Sequence, residues 1–173
     1  MKPDDRLLHK DYHDHQYGYP LDNDEELFCR LVLEINQAGL SWTTILKKQN
    51  SFRAAYNNFS IIKVANYKQK DIERLLNDPG IIRNKLKVNA AIENAKVTMG
   101  LQKEYGSFKS WLDYHHPKSK EVWTKLFKST FKFTGGEIVN EFLISSGYLP
   151  GAHEMSCPVY ALVLNKRPAW SQV

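Results

Sequence analysis

The sequence has few cysteines and no long hydrophobic run. Only Cys29 and Cys157 occur among 173 residues, and two cysteines so far apart do not indicate a disulfide framework. No apolar stretch approaches the roughly 20 residues of a membrane span. The N-terminal Met-Lys-Pro-Asp-Asp-Arg also lacks the apolar core of a signal peptide. We therefore expect a protein that works in the cytoplasm and has no membrane partner.

Signals for β-strands are also missing. No segment shows a convincing alternation of apolar and polar residues, and no internal repeat is present. Apolar residues make up 42% of the chain and aromatic residues 12%, which excludes a disordered protein. The length suits one well-buried domain, and the apolar residues recur at helical spacing. We predict a single all-α domain that covers residues 1–173.

Caps and breaks predict where the helices lie. Residues 1–20 are polar and are predicted to be irregular, whereas Asp22 and Glu25 have capping-box spacing for a helix that ends at Gly39. Shorter helices are predicted after Ser41, over 52–56, 61–65 and 70–76, and after Ser107, Ser119 and Gly136. The longest runs over 84–105, with its inward side formed by Leu86, Ala90, Ala91, Ala95 and Met99. No structure is assigned to the tail after residue 159.

One carboxylate stands inside the apolar run that leads to Trp42. At 3.6 residues per turn, Glu34 shares a strip with Leu27, Leu31 and Ala38. One interpretation is a boundary residue whose charged end reaches water. The other is the floor of a pocket, where an acid beside an aromatic ring suits a flat, cationic ligand rich in N–H donors, such as a damaged purine.

A Pro-Gly break joins two helices of a predicted helix-hairpin-helix over about 69–105. Gly80 lets the backbone approach an anion closely, and the N–H groups that open the next helix have no partner within it. The basic residues Arg83, Lys85 and Lys87 follow at once. These features are typical of a site for nucleic-acid phosphates, although an ordinary helix corner with solvated lysines is an alternative. The net charge of +5 is compatible with either.

Several segments together resemble the bacterial DNA-3-methyladenine glycosylase I family of the helix-hairpin-helix superfamily. The resemblance extends from Tyr12 to Pro158, and its most specific part is the run Gln-Ala-Gly-Leu-Ser-Trp at 37–42. The other matching segments are Tyr12-His13-Asp14, Tyr17-Gly18, Leu33-Glu34, Leu46-Lys47-Lys48, Gly80-Ile81-Ile82-Arg83 with Lys87, Phe131-Lys132-Phe133-Thr134-Gly135, and His153-x-x-x-Cys157.

The resemblance implies an enzyme that acts on double-stranded DNA carrying alkylated bases. We expect a monofunctional glycosylase, because no lysine stands out as a Schiff-base nucleophile, and a monomer. Such an enzyme excises 3-methyladenine by cleaving its N-glycosidic bond, the first step of base excision repair. Glu34 would hydrogen-bond the base as the catalytic residue, Trp42 would stack on it, and Tyr12 and Tyr17 would line the pocket, Tyr17 where the family commonly has Trp. The DNA-binding residues implied are Gln37, Gly39 and Leu40 beside the flipped nucleotide, and Gly80, Ile82, Arg83, Lys85 and Lys87 on the backbone.

Two departures from the family bear on cofactor and activity. The family holds a structural zinc with an N-terminal Cys, a His and a C-terminal His-x-x-x-Cys. Here His13, His153 and Cys157 remain, but no cysteine precedes Tyr12, so a zinc site would need water or a substitute such as His15 or Asp11. The segment 114–130 is also shorter than in the family. A non-catalytic, damage-sensing DNA-binding protein and a helical domain without a nucleic-acid partner therefore remain as alternatives.

Overall fold

The computed structural model describes residues 2–173, which form ten α-helices and two short 3₁₀ helices. No β-strand occurs within these residues, so the all-α prediction is confirmed. None of the helices in this range is both long and apolar enough to cross a membrane. The helices are α1 (Pro3–His15), α2 (Asp24–Gln37), α3 (Trp42–Ala55), α4 (Ile61–Ala65), α5 (Gln69–Leu76), α6 (Lys85–Tyr105), α7 (Phe108–His115), α8 (Lys120–Thr130), α9 (Gly136–Ser145) and α10 (Pro158–Asn165), with 3₁₀ helices at Asn57–Phe59 and Ala169–Gln172.

The first helix corrects the prediction that residues 1–20 are irregular. Proline stands at the first position of α1, and Asp4 and Asp5 lie in its first turn, where they favour a helix N-terminus. Only Tyr12 of this helix is buried. Its sequence therefore has no apolar residues recurring at helical spacing. Only the residues of its first turn indicate that a helix begins here.

Helix α2 is the centre of the fold. Every residue from Leu27 to Asn36 is buried, because the helix separates two hydrophobic clusters. Phe28 and Val32 pack into the cluster formed with α3 to α6, whereas Leu31 packs into the cluster formed with α7 to α9. Since both sides of α2 are covered, any polar group on it must find a partner or a cavity.

Two other predictions about helices are wrong. The separate helices predicted after Ser41 and over 52–56 are one helix, α3. On α6, Ala90, Ala91 and Ala95 are buried as predicted, but Leu86 is 70% exposed and Met99 is 37% exposed. The small alanines let the neighbouring helices approach closely, and the longer side chains at the edges of this stripe remain in solvent.

The hairpin and the tail have definite structures. Helix α5 is followed by a loop, and α6 begins at Lys85 with the Asn84 side chain as its N-cap, later than the Pro-Gly break implied. The segment 114–130 contains the end of α7, a short connection and α8, whose Trp123 and Phe127 are buried. The tail after 159 belongs mostly to α10 and to the last 3₁₀ helix.

Candidate active site

A cavity of about 400 Å³ opens where α1, α2, the start of α3 and α9 meet. Four predicted pocket residues line it together, although they lie on three different segments of the chain. The lining consists of His9, Tyr12, His13, Tyr17, Glu34, Gln37, Trp42 and Glu141.

Glu34 forms the acidic part of this cavity. Its side chain is only 4% exposed, so the structure favours the pocket interpretation over that of a boundary residue. Burial raises the pKa of Glu34 to about 8, the nearby Arg30 lowers it, and the charge of Glu141 raises it further. Within residues 2–173, no group donates a hydrogen bond to this carboxylate. The carboxylate therefore faces the cavity and can accept hydrogen bonds from a ligand.

Aromatic rings form the walls beside Glu34. The Tyr12 ring lies 5.2 Å from the Trp42 ring and 5.6 Å from the Tyr17 ring, measured between centroids. The Tyr12 hydroxyl and the Trp42 indole N–H are buried without a hydrogen-bond partner among the described residues. The rings themselves offer a surface on which a flat ligand can stack.

Arg30 supplies the positive charge behind the pocket. It is buried, lies one helical turn before Glu34, and donates from Nη1 to the Ser145 carbonyl oxygen at 3.0 Å. Its guanidinium also lies 5.6 Å from the centre of the Tyr12 ring. Arg30 was not predicted as a site residue, although its i, i+4 spacing to Glu34 is visible in the sequence.

The turn after α2 connects Gln37 to Trp42, and both of these residues line the cavity. Gly39 has a φ of 78°, which favours glycine, and the Gln37 side chain donates to the Leu40 carbonyl oxygen at 2.8 Å. Leu40 is 38% exposed although it is apolar. The turn therefore holds an apolar side chain out into solvent.

Lys87 corrects one prediction about DNA contacts. Its ammonium is buried and donates to the carbonyl oxygens of Asn36 and Ala38, each at 2.8 Å. Burial also lowers the pKa of Lys87. Because this charge is committed to the end of α2, Lys87 holds the turn in place and is not available to a phosphate.

The hairpin retains the other residues of the predicted phosphate site, but the role of Gly80 differs from the prediction. The Gly80 N–H donates to the Asp78 carboxylate at 2.7 Å, and a Cβ at Gly80 would lie 2.9 Å from Ser51 Cβ. Gly80 is therefore required for close packing, and its N–H is not free. By contrast, the N–H groups of Ile82 and Arg83 donate to nothing within residues 2–173, and Arg83 and Lys85 are exposed.

Three candidate metal ligands converge beside the cavity. His13 Nε2 lies 3.2 Å from His153 Nδ1 and 3.7 Å from Cys157 Sγ, and the latter two atoms are 3.9 Å apart. The other ring nitrogens are also held, His13 Nδ1 by Asp14 at 2.8 Å and His153 Nε2 by the Tyr17 carbonyl oxygen at 2.7 Å. Such outer contacts orient metal-binding histidines.

The substitutes considered for the missing cysteine do not join this cluster. His15 and Asp11 bond to each other at 3.0 Å, and the group of potential metal ligands within the described residues contains neither. Their positions, two residues either side of His13, turn them to another side of α1. The donor set therefore consists of two imidazoles and one thiol.

Two further lining residues had no predicted role. His9 bonds to the Thr43 hydroxyl at 2.7 Å, and Glu141 accepts a hydrogen bond from the Tyr17 hydroxyl at 3.1 Å. Glu141 follows Ile138 by three residues and precedes the buried Ser145 by four. An acid on the inward strip of a helix is the same signal that singled out Glu34.

Comparison with known proteins identifies relatives of this chain. The sequence model described as methyladenine glycosylase matches residues 3–117. The chain is 33% identical to DNA-3-methyladenine glycosylase 1 of Escherichia coli (strain K12), over 86% of this chain and 89% of the relative. It is 32% identical to DNA-3-methyladenine glycosylase of Haemophilus influenzae, over 89% and 93%. A structure of 3-methyladenine DNA glycosylase I from Staphylococcus aureus superposes with a TM-score of 0.79 at 32% identity and covers 92% of both chains.

Proposed function

Because this chain belongs to the methyladenine glycosylase family, we propose that it excises 3-methyladenine from alkylated double-stranded DNA and so begins base excision repair. The target base must leave the stack to reach an atom inside a protein cavity. We also propose that it acts in the cytoplasm, because the relatives it matches are bacterial DNA-3-methyladenine glycosylases. The pocket is built from one chain, which supports a monomer.

The observation that carries this proposal is the buried Glu34 carboxylate, which has no donor and faces a cavity walled by Tyr12 and Trp42. The nucleotide of 3-methyladenine is cationic and carries an exocyclic amino group. Such a base can donate to the carboxylate and stack on the indole, with its charge attracted to the ring face. Neutral adenine lacks the positive charge and would gain less from both contacts.

The reaction is a hydrolysis in which the damaged base is the leaving group. When the N-glycosidic bond breaks, its electron pair goes to the base, which departs neutral. The sugar C1′ becomes cationic, takes up water and releases a proton, which leaves an abasic site. Because methylation already makes the base a good leaving group, the enzyme acts by capture and electrostatic stabilisation. No lysine is among the residues that line the cavity, so water and not a lysine amine attacks C1′, and the enzyme is monofunctional.

Two exposed features support the grip on DNA. Arg83 and Lys85, with the free N–H groups of Ile82 and Arg83, form a patch suited to backbone phosphates. The turn at Gly39 holds Leu40 exposed between Gln37 and Trp42, two residues that line the cavity, so that Leu40 can occupy the gap left by the flipped nucleotide.

We also propose that His13, His153 and Cys157 hold a structural zinc ion. Their separations suit donors around tetrahedral zinc, for which bonds of about 2.0–2.3 Å give edges of roughly 3.3–3.8 Å. Water can fill the fourth position. The ion would tie α1 to the segment before α10, two regions that lie far apart in sequence. Metal analysis of protein purified without added zinc should find about one zinc per chain, and a value near zero would refute this assignment.

Release of free base from methylated duplex DNA tests the proposed function. Wild-type protein should release 3-methyladenine. Glu34→Gln should reduce the rate roughly 100-fold, and Trp42→Ala roughly tenfold or more because base stacking is lost. The controls are Glu93→Gln, which removes a surface acid paired with Lys96, and Trp170→Ala in the tail. Salt-sensitive DNA binding without release would instead support a damage sensor.

A further inference from the structure

A second carboxylate enters the candidate pocket from α9. Glu141 is half-buried, lines the same cavity as Glu34, and accepts a hydrogen bond from the Tyr17 hydroxyl at 3.1 Å. The other acid of α9, Glu137, pairs with Lys120 at the surface. Glu141 has no ion-pair partner within residues 2–173. Its charge is therefore directed at the cavity and not at a neighbouring cation.

The contact with Tyr17 sets the hydrogen-bonding character of this wall. A phenol has one proton to donate, and Tyr17 commits it to Glu141. The remaining lone pairs of the Tyr17 oxygen can only accept. Glu34, Glu141 and Tyr17 thus present acceptors from α2, α9 and the segment after α1. A ligand that contacts this acidic wall of the cavity must bring N–H donors to it.

The two acids that line the cavity, Glu34 and Glu141, have no lysine or arginine among the other lining side chains. Arg30 lies behind Tyr12 and is already bonded to the Ser145 carbonyl oxygen. At the rim, His13 is bonded to Asp14. Although burial is the main cause of the raised pKa of Glu34, the charge of Glu141 contributes to it, so the two carboxylates act in one electrostatic environment. A cationic guest would be attracted to Glu141 and would favour the ionised form of Glu34, whereas a neutral guest would do neither.

We propose that Glu141 is a specificity-determining residue, which makes this pocket prefer a cationic base to a neutral base of the same shape. Glu34 supplies the buried acceptor, and Glu141 supplies the second negative charge and fixes the Tyr17 hydroxyl. This inference deepens the proposed function and rests on it, because it concerns how the same pocket selects a methylated base.

Two small probes separate charge from shape. The 3,9-dimethyladeninium cation resembles the cationic nucleotide without a bond to cleave, and 9-methyladenine is its neutral counterpart. Isothermal titration calorimetry on the intact protein would give the Kd of each. Wild type should bind the cation more tightly. Glu141→Gln keeps the shape of the side chain and removes its charge, so it should weaken binding of the cation roughly tenfold and leave the neutral probe within about twofold.

Control variants distinguish this role from a general effect on folding or net charge. Glu141→Asp keeps the charge and should retain most of the preference. Glu93→Gln removes the same charge from a surface site and should bind both probes as wild type does. Equal affinity of wild type for the two probes, including binding of neither, would overturn the inference. An unchanged preference in Glu141→Gln would do the same.

The proposed function is tested separately by base release from methylated DNA. If wild type releases 3-methyladenine but Glu141→Gln keeps the wild-type preference, the function stands and the role of Glu141 is wrong. If wild type prefers the cation but releases no base, the pocket selects charge and the enzymatic function fails. In release assays, Glu141→Gln should raise KM and leave kcat nearly unchanged, because the lost attraction acts on the cationic substrate in both the bound state and the transition state.

Discussion

Replacing Glu34 by glutamine should make the protein more stable at alkaline pH while it removes the group assigned to base capture. In the folded protein the pKa of Glu34 is raised from 4.5 to about 8, chiefly by burial. Below the lower value the carboxyl is protonated in both the folded and the unfolded chain, so it has no effect on stability. Between the two values the unfolded chain releases the proton and the folded chain keeps it, so stability falls as pH rises.

The size of this effect follows from the same two pKa values. Each tenfold change in proton affinity corresponds to about 1.4 kcal/mol, so above pH 8 the charged carboxylate should destabilise the fold by on the order of 3–5 kcal/mol. Glutamine has no charge to bury. The difference in unfolding free energy between Glu34→Gln and wild type should therefore grow by that amount between about pH 4.5 and pH 9.

Urea unfolding at a series of pH values measures this difference. The constant offset between amide and carboxylic acid appears at the lowest pH, and only the change with pH reports on the buried charge. Glu93→Gln is the matched control, since its exposed acid pairs only at the surface and should show little change with pH. A difference that stayed flat across the whole range would refute the claim that Glu34 is desolvated.

Three further predictions concern activity, the turn and the grip on DNA. The kcat/KM for release of 3-methyladenine should rise with pH and level off above about 8 as Glu34 ionises in the free enzyme, and a pH–rate series with Glu34→Gln should lack this rise. Lys87→Met should lower the unfolding free energy by about 1–3 kcal/mol, because two carbonyl oxygens at the end of α2 lose their donor. In the same urea titration, the control Lys85→Met should change the unfolding free energy by less than about 0.5 kcal/mol. Arg83→Ala should reduce the slope of log affinity against log salt by roughly 1 without affecting thermal stability, and an unchanged slope would remove Arg83 from the phosphate contacts.

Local signals predicted much of the helical framework. The hydroxyl oxygens of Ser41, Ser107 and Ser119 cap helices α3, α7 and α8, as their positions indicated. A cap acts within three residues of its own position, so the chain alone is enough to recognise it. The same holds for the family resemblance, because its motifs are short runs of neighbouring residues.

Predictions from the sequence were wrong where a side chain contacts a segment that is distant in the chain. The chemistry of Lys87 is that of a phosphate ligand, yet its ammonium is taken up by α2, about fifty positions earlier in the chain. Helix α1 was missed for a related reason. Only Tyr12 on it is buried, so the packing that holds the helix leaves no periodic trace in the sequence.

The sequence by itself determined that the chain is helical and that an acid and an indole stand close together beside a helix break, because these features depend on neighbouring residues. Only the tertiary structure decided that Glu34 is desolvated and that Arg30 and Glu141 act on it. A pKa depends on the dielectric and on charges within a few ångströms, and α9 delivers Glu141 from more than one hundred positions along the chain. No pattern of neighbouring residues records such a contact.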